Sequence, residues 1–195
     1  MEVLPLVLTS GWASGINAYA VIVMLNLLGR YGGLDAVPGS VQHTSVLLLA
    51  GGMFLVEFVT DKIPYVDSAW DAISTVIRPT LGAMLGYLIA GEANSVDQAW
   101  FAVVGGGSAL ASHLVKAGLR LAVNSSPEPV TNIGVSLGED VTVAAVITLA
   151  LYHPWLAAGI AATLFAIGLL LLVLVFRLAR RGWRRWRSRT EAVGA

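Results

Sequence analysis

Charged residues stand at the edges of, or inside, segments apolar enough to span a bilayer. That combination constrains this chain more than any other feature. Glu57, Asp61, Lys62, Asp67, Asp71 and Arg78 follow one apolar run, His113, Lys116 and Arg120 end another, and Glu139 and Asp140 open a third. Charge inside a membrane helix is costly, so it faces a protein interior or a water-filled cavity and serves pairing, binding or relay there. The composition agrees: 56% of the 195 residues are hydrophobic and 12% charged, whereas an ordinary soluble domain is about one quarter charged. With a mean hydropathy of +0.76, the expected class is an all-α integral membrane protein. One polytopic membrane domain over 1–176 precedes a basic tail over 177–195.

The zero net charge hides an asymmetry. Twelve basic residues balance twelve acidic ones, but seven of the basic ones are the tail arginines Arg177, Arg180, Arg181, Arg184, Arg185, Arg187 and Arg189. Under the positive-inside rule such a tail lies in the cytoplasm. Six apolar segments fit the chain: Leu4 to Gly29, His43 to Lys62, Ser74 to Gly91, Gln98 to Leu121, Leu137 to Tyr152 and Trp155 to Phe176. Six crossings place both termini in the cytoplasm and sort Lys62, Arg78, Lys116 and Arg120 to the inner side. Trp183 and Trp186 among the arginines read as interfacial anchors on anionic lipid. The partners expected are the bilayer and a small solute or ion, not nucleic acid, and a homo-oligomer is compatible with the sequence. There is no cysteine, so no disulfide or thiolate metal site.

The second and fourth segments look alike. Gly51-Gly52 precedes Glu57 as Gly106-Gly107 precedes Ser112, which sets Asp61 on Lys116, and each segment leads into a proline-containing loop and a short return helix. Two helical hairpins running the same way would form a parallel repeat, a symmetry common in transporters. The glycines would let the second and fourth helices approach closely.

Glu57 and Asp61 lie one turn apart and share a helix face. Two carboxylates there need a proton, a cation or basic partners. Ser112, Lys116 and Arg120, spaced by four, line one face of the fourth segment beside His113, so Asp61 is expected to meet Lys116 and Glu57 to meet His113. Asn17 sits in Gly11-Trp12-Ala13-Ser14-Gly15-Ile16-Asn17, where glycine and serine could break the first helix and free carbonyls for an ion or polar solute. The candidate binding residues are thus Asn17, Glu57, Asp61, Lys62, Asp67, Asp71, His113, Lys116, Arg120, Glu139 and Asp140. The plain reading of the same residues is a structural ion-pair network, and for Glu139 and Asp140 capping of the fifth helix. Carboxylates with one histidine could hold a hard divalent cation, but the spacing is not diagnostic and the metal stays unknown. No cofactor is expected, and no H-E-x-x-H, G-x-S-x-G or phosphate-binding glycine loop points to an enzyme.

Three stretches together, Ser14-Gly15-Ile16-Asn17-Ala18-Tyr19, Val56-Glu57-Phe58-Val59-Thr60-Asp61-Lys62-Ile63-Pro64, and Asn124-Ser125-Ser126-Pro127-Glu128-Pro129 with Ser136-Leu137-Gly138-Glu139-Asp140, carry a resemblance. Over roughly residues 10 to 155 the chain resembles a bacterial membrane family catalogued as domain of unknown function 4126. The resemblance implies a small multi-helix protein of the bacterial inner membrane and no particular substrate. The expected function is a small transporter or permease with a charged cavity open to the cytoplasm, handling a cation, a proton-coupled solute or a lipid head group. The alternative is a non-transporting scaffold or assembly factor whose ion pairs are structural.

Overall fold

The computed structural model describes residues 3–91, 93–124 and 129–193, with residues 129 and 182–193 described by backbone alone. The described residues form six helices: α1 (Val3–Gly32), α2 (Thr44–Thr60), α3 (Val66–Ile89), α4 (Ser95–Asn124), α5 (Pro129–Tyr152) and α6 (Pro154–Val193). The all-α class and the six helices are as expected. The protein is a membrane protein: α1, α3, α5 and α6 are long and apolar enough to cross a bilayer. Among the described residues α4 misses that standard because its polar face carries His113, Lys116 and Arg120, all three turned into the protein.

Local chemistry sets the helix ends. Asn94 accepts from the Val96 and Asp97 amides at 3.1 and 3.0 Å and donates to Asp97 at 2.7 Å, a reciprocal cap at the start of α4. Prolines 129 and 154 open α5 and α6, where a missing amide costs nothing. Asn26 donates to the Val41 and His43 carbonyls at 2.6 and 3.0 Å and ties the loop before α2 to α1.

The first helix is not a straight rod. Asn17 has φ −151° and ψ 94°, outside the helical region, so α1 is two half-helices, 3–16 and 18–32. The contacts on either side show that the chain folds back. Before the break, Ser112 Oγ donates to Trp12 O at 2.7 Å and Lys116 Nζ to Ile16 O at 2.9 Å. A Cβ on Gly11 would strike Gly105 and Ser108, and one on Gly15 would strike Ala109 and Ser112. Position rises together on both helices, so the first half runs parallel to α4. After the break, Asn26 and Arg30 meet Val41, His43 and Thr44 at the start of α2. Helix α2 also runs parallel to α4, because Glu57 meets Lys116 while Asp61, one turn on at the end of α2, meets both Lys116 and Arg120. Both halves of α1, each roughly 21 Å long at 1.5 Å per residue, therefore rise from Asn17 towards the same end of the bundle. We call that end, with the 33–43 loop, apical. The basal end carries the 61–65 turn and the start of α5.

Helices α2 to α6 cross the bundle in alternation and α1 is re-entrant, so Val3 lies towards the apical end and Arg181 towards the basal end. Re-entrant α1 is also the most internal element: 78% of its most apolar stretch is buried, against 6% for α6, which lies at the rim.

Two boundaries differ from the sequence reading. Helix α3 begins at Val66 and α5 at Pro129, each about two turns earlier than hydropathy suggests. Polar residues in these turns face polar partners, so hydropathy does not register them as helix. Asp67 and Asp71 thus lie on α3, and Glu139 and Asp140 stand in the middle of α5, which removes their reading as helix caps. The glycine pairs are not equivalent either. Gly105 and Gly106 pack on α3, the first against Gly82 and Gly86 and the second against Pro79 and Ala83, while a Cβ on Gly51 or Gly52 would meet nothing within 4 Å. Close approach belongs to α3 and α4 and not to α2 and α4, although the two hairpins do run the same way. Trp183 and Trp186 lie outside the described side chains.

Cysteine labelling of this cysteine-free chain tests the fold-back. Leu4→Cys and Ser40→Cys are expected to label from one face of the membrane and Arg181→Cys from the other. Labelling of Leu4→Cys from the same face as Arg181→Cys would contradict it.

Candidate functional site

The charged residues gather around the apex of α1 and continue to the basal end. Five carboxylates and three cations form one ion-pair network. Arg78 bridges Glu57 at 2.7 Å and Asp71 at 3.1 Å. Lys116 meets Asp61 at 2.8 Å, Glu139 at 3.3 Å and Glu57 at 4.0 Å. Arg120 meets Glu139 at 2.5 Å, Asp67 at 3.5 Å and Asp61 at 3.7 Å. All but Glu139 are buried, with Glu57 and Arg78 at 0% exposure. Beside the network stands a looser pair, Lys62 and Asp140, 3.9 Å apart.

The helices reach each other through this network. The last carbonyls of the first half of α1 lack helical partners. Arg78 donates to Gly15 O at 3.3 Å, Lys116 to Ile16 O at 2.9 Å. The second half starts on Asn17, whose Oδ1 accepts from the Ala20 amide at 2.9 Å as an N-cap, and whose Nδ2 donates to Asp140 Oδ1 at 3.0 Å. At the basal end α2 stops before Pro64, and its Asp61 carbonyl accepts from Arg120 at 2.9 Å and Asn132 at 3.2 Å. Asn124 donates to Asp67 at 2.7 Å. Lys62 donates to Phe58 O at 2.8 Å and Ser136 Oγ at 3.2 Å. Non-helical backbone at membrane depth is tolerated where protein groups satisfy it, and here these side chains do so.

The structure joins Asp61 to Lys116 as the spacing predicts. It separates Glu57 from His113, because the Arg78 guanidinium lies between them, 2.8 Å from His113 Nδ1. Arginine only donates, so Nδ1 must accept. His113 is then neutral, with its proton on Nε2 donated to Thr75 Oγ1 at 3.0 Å. All eleven candidate residues lie in or beside the network. The sequence reading left Arg78 and Asn124 out of the candidates and passed over Asn132 and Ser136. Arg78 already stood among the intramembrane charges, and that was signal enough. Asn132 fell in a segment read as loop, with no pattern to mark it, and Ser136 stood in a stretch that carries the family resemblance without being singled out for a role.

Charge does not balance. Five carboxylates against three cations leave a formal charge of −2 in the network, with the Lys62–Asp140 pair neutral beside it. Glu57 Oε2, Asp61 Oδ1 and Asp71 Oδ2 are buried and accept no hydrogen bond from any described residue. A buried acceptor left bare is expensive. Protonation or a bound cation relieves the cost. Among the described residues no three His, Asp or Glu side chains are arranged to hold a metal ion. The carboxylate cage for a hard divalent cation that the sequence left open is therefore not formed by them.

Breaking the central pair tests the network. Lys116→Met strands the Asp61 carboxylate in a network already short of cations, a change that typically costs about 3–5 kcal/mol, whereas Asp61→Asn leaves Lys116 with Glu139 and Glu57. Lys116→Met is expected to melt well below the parent in detergent, Asp61→Asn less far below, and the double variant less far below than the two losses added. Additive losses would mean that the pair contributes no coupling.

A family model described as domain of unknown function (DUF4126) matches residues 4–177. The match agrees with the resemblance seen in the sequence and extends it through the membrane part of α6, leaving the arginines beyond Arg177 outside. No curated protein and no solved structure matches the chain.

Proposed function

We propose that this chain, which belongs to the DUF4126 family, is a membrane transporter that couples its substrate to protons or monovalent cations at the apex of α1. One observation carries the reading: a helix broken at Asn17 ends inside a buried network with two more carboxylates than cations. Transporters place binding sites at such interruptions, where half-helix ends present carbonyls and amides near the bilayer midplane. Excess carboxylate in a site of low dielectric gives the network a chemical need for one or two positive charges, and exchange of those charges is the coupling step. The arginine-rich basal end then faces the cytoplasm of a bacterial inner membrane by the positive-inside rule, which places the network on the cytoplasmic half. The scaffold reading draws on the same burial, since Arg78–Glu57 and Lys116–Asp61 are buried ion pairs. It does not explain why the network carries unpartnered carboxylate oxygens.

Glu57→Gln separates the two. It keeps shape and most hydrogen bonding but cannot ionise, and Arg78 retains Asp71. In liposomes with imposed pH or sodium gradients, the parent protein is expected to carry a flux above that of empty vesicles. Glu57→Gln is expected to remain folded and lose at least about 90% of that flux, tenfold being about 1.4 kcal/mol in barrier. No flux from the parent, together with unchanged or raised stability in Glu57→Gln, would favour the scaffold.

A further inference from the structure

The network touches a cavity that the coupling reading does not use. Between the first half of α1 and helices α4, α5 and α6 lies a space of ≈ 360 Å³, walled by Trp12, Val115, Leu164 and Phe165. A second space of ≈ 190 Å³ adjoins it, sharing Trp12 and Phe165 and continuing between Leu8 and Ala158. Together they follow α6 from Ala158 to Gly168, ten residues or roughly 15 Å of helix. The combined size lies in the range of small-molecule sites, which pair apolar walls with a few polar groups.

The polar groups are unequal. Ser112 already donates to Trp12 O, and Lys116 is 4% exposed and committed to Asp61, Glu139 and Ile16 O. Glu139 is paired as well, with Arg120 and with Lys116 at 3.3 Å, but it is more open. Its side chain is 20% exposed, the most open member of the ion-pair network, and it lines the cavity at the end nearest that network. A ligand there meets aromatic and aliphatic walls and one accessible carboxylate, backed by a network of formal charge −2. Positive charge is the complement, and Trp12 and Phe165 in the lining bring aromatic rings that can favour it as well.

We infer that this cavity binds a lipophilic cation, an organic ammonium or phosphonium with an apolar body, whose charge lies against Glu139. The inference rests on the transport reading and names its substrate class. Such a molecule dissolves in the bilayer and reaches the cavity from the side, past rim helix α6. Its charge would supply part of what the network lacks, so that loading the ligand and holding protons are opposed.

Tetraphenylphosphonium is the probe, with tetraphenylborate as its anion of matching shape. Equilibrium dialysis of the full chain in neutral detergent is expected to show saturable tetraphenylphosphonium binding that tetraphenylborate does not displace. Glu139→Gln should weaken it at least tenfold. Because that change also touches Arg120, a second variant closes the cavity without breaking an ion pair. Gly138 lines it, and a Cβ there meets no atom within 4 Å, as is also true of Gly134 on the same helix outside it. Gly138→Trp should abolish binding and Gly134→Trp should leave it intact. Equal binding of tetraphenylborate would overturn the inference, as would phosphonium binding that survives both Glu139→Gln and Gly138→Trp. Absence of phosphonium binding beside a proton or sodium flux in liposomes would remove the substrate class and leave the transport reading. Absence of both would remove the two together.

Discussion

Lys116 and Arg78 hold the end of a half-helix. Their donations to Ile16 O and Gly15 O satisfy carbonyls that a straight α1 would have bonded internally. Without them, a chain break near the middle of a membrane bundle would leave bare acceptors with no water to turn to. With them, α1 can stop, turn on Asn17 and return. Much of the arrangement follows from that contact. The cations must be buried to reach the break, so the carboxylates must follow to neutralise them. The helices bearing those carboxylates must then converge on α1, and small residues at Gly11, Gly15, Gly82, Gly86 and Gly105 let the backbones come close enough.

A network built only to neutralise two or three buried cations would use as many carboxylates and no more. Buried ion pairs seldom repay their desolvation with stability, so additional uncompensated carboxylates make the cost worse. Glu57, Asp61 and Asp71 nevertheless leave oxygens without donors. The excess therefore suits a site that gains and loses positive charge. Neutral His113, locked between Arg78 and Thr75, adds no charge to the sum.

Much of this was legible in the sequence, for identifiable reasons. Charges in apolar segments are rare enough to announce a buried cluster, and the four-residue spacing of Ser112, Lys116 and Arg120 gave the correct facing for Asp61. Gly11, Ser14, Gly15 and Asn17 marked a weak point in the first helix. The direction of the chain after that point was not legible. The apolar run from Leu4 to Gly29 is continuous in hydropathy, and a helix and a hairpin of half-helices of the same total length look alike to such a measure. The Glu57–His113 pairing failed because Arg78, on another helix, lies between them, and nothing in local spacing reports a third partner. The early starts of α3 and α5 were hidden because residues such as Asp67 and Asn132 are polar yet buried, satisfied by Asn124 and Arg120 rather than by water.

The claim on which the account rests is that α1 folds back at Asn17. A distance across the helix measures it most directly. Spin labels at Leu4 and Tyr31, both exposed, would lie about 40 Å apart on an unbroken helix at 1.5 Å per residue. The fold-back predicts a pulsed dipolar distance in liposomes of the order of a single arm, ~20 Å. A narrow distribution centred near the straight-helix value would contradict it.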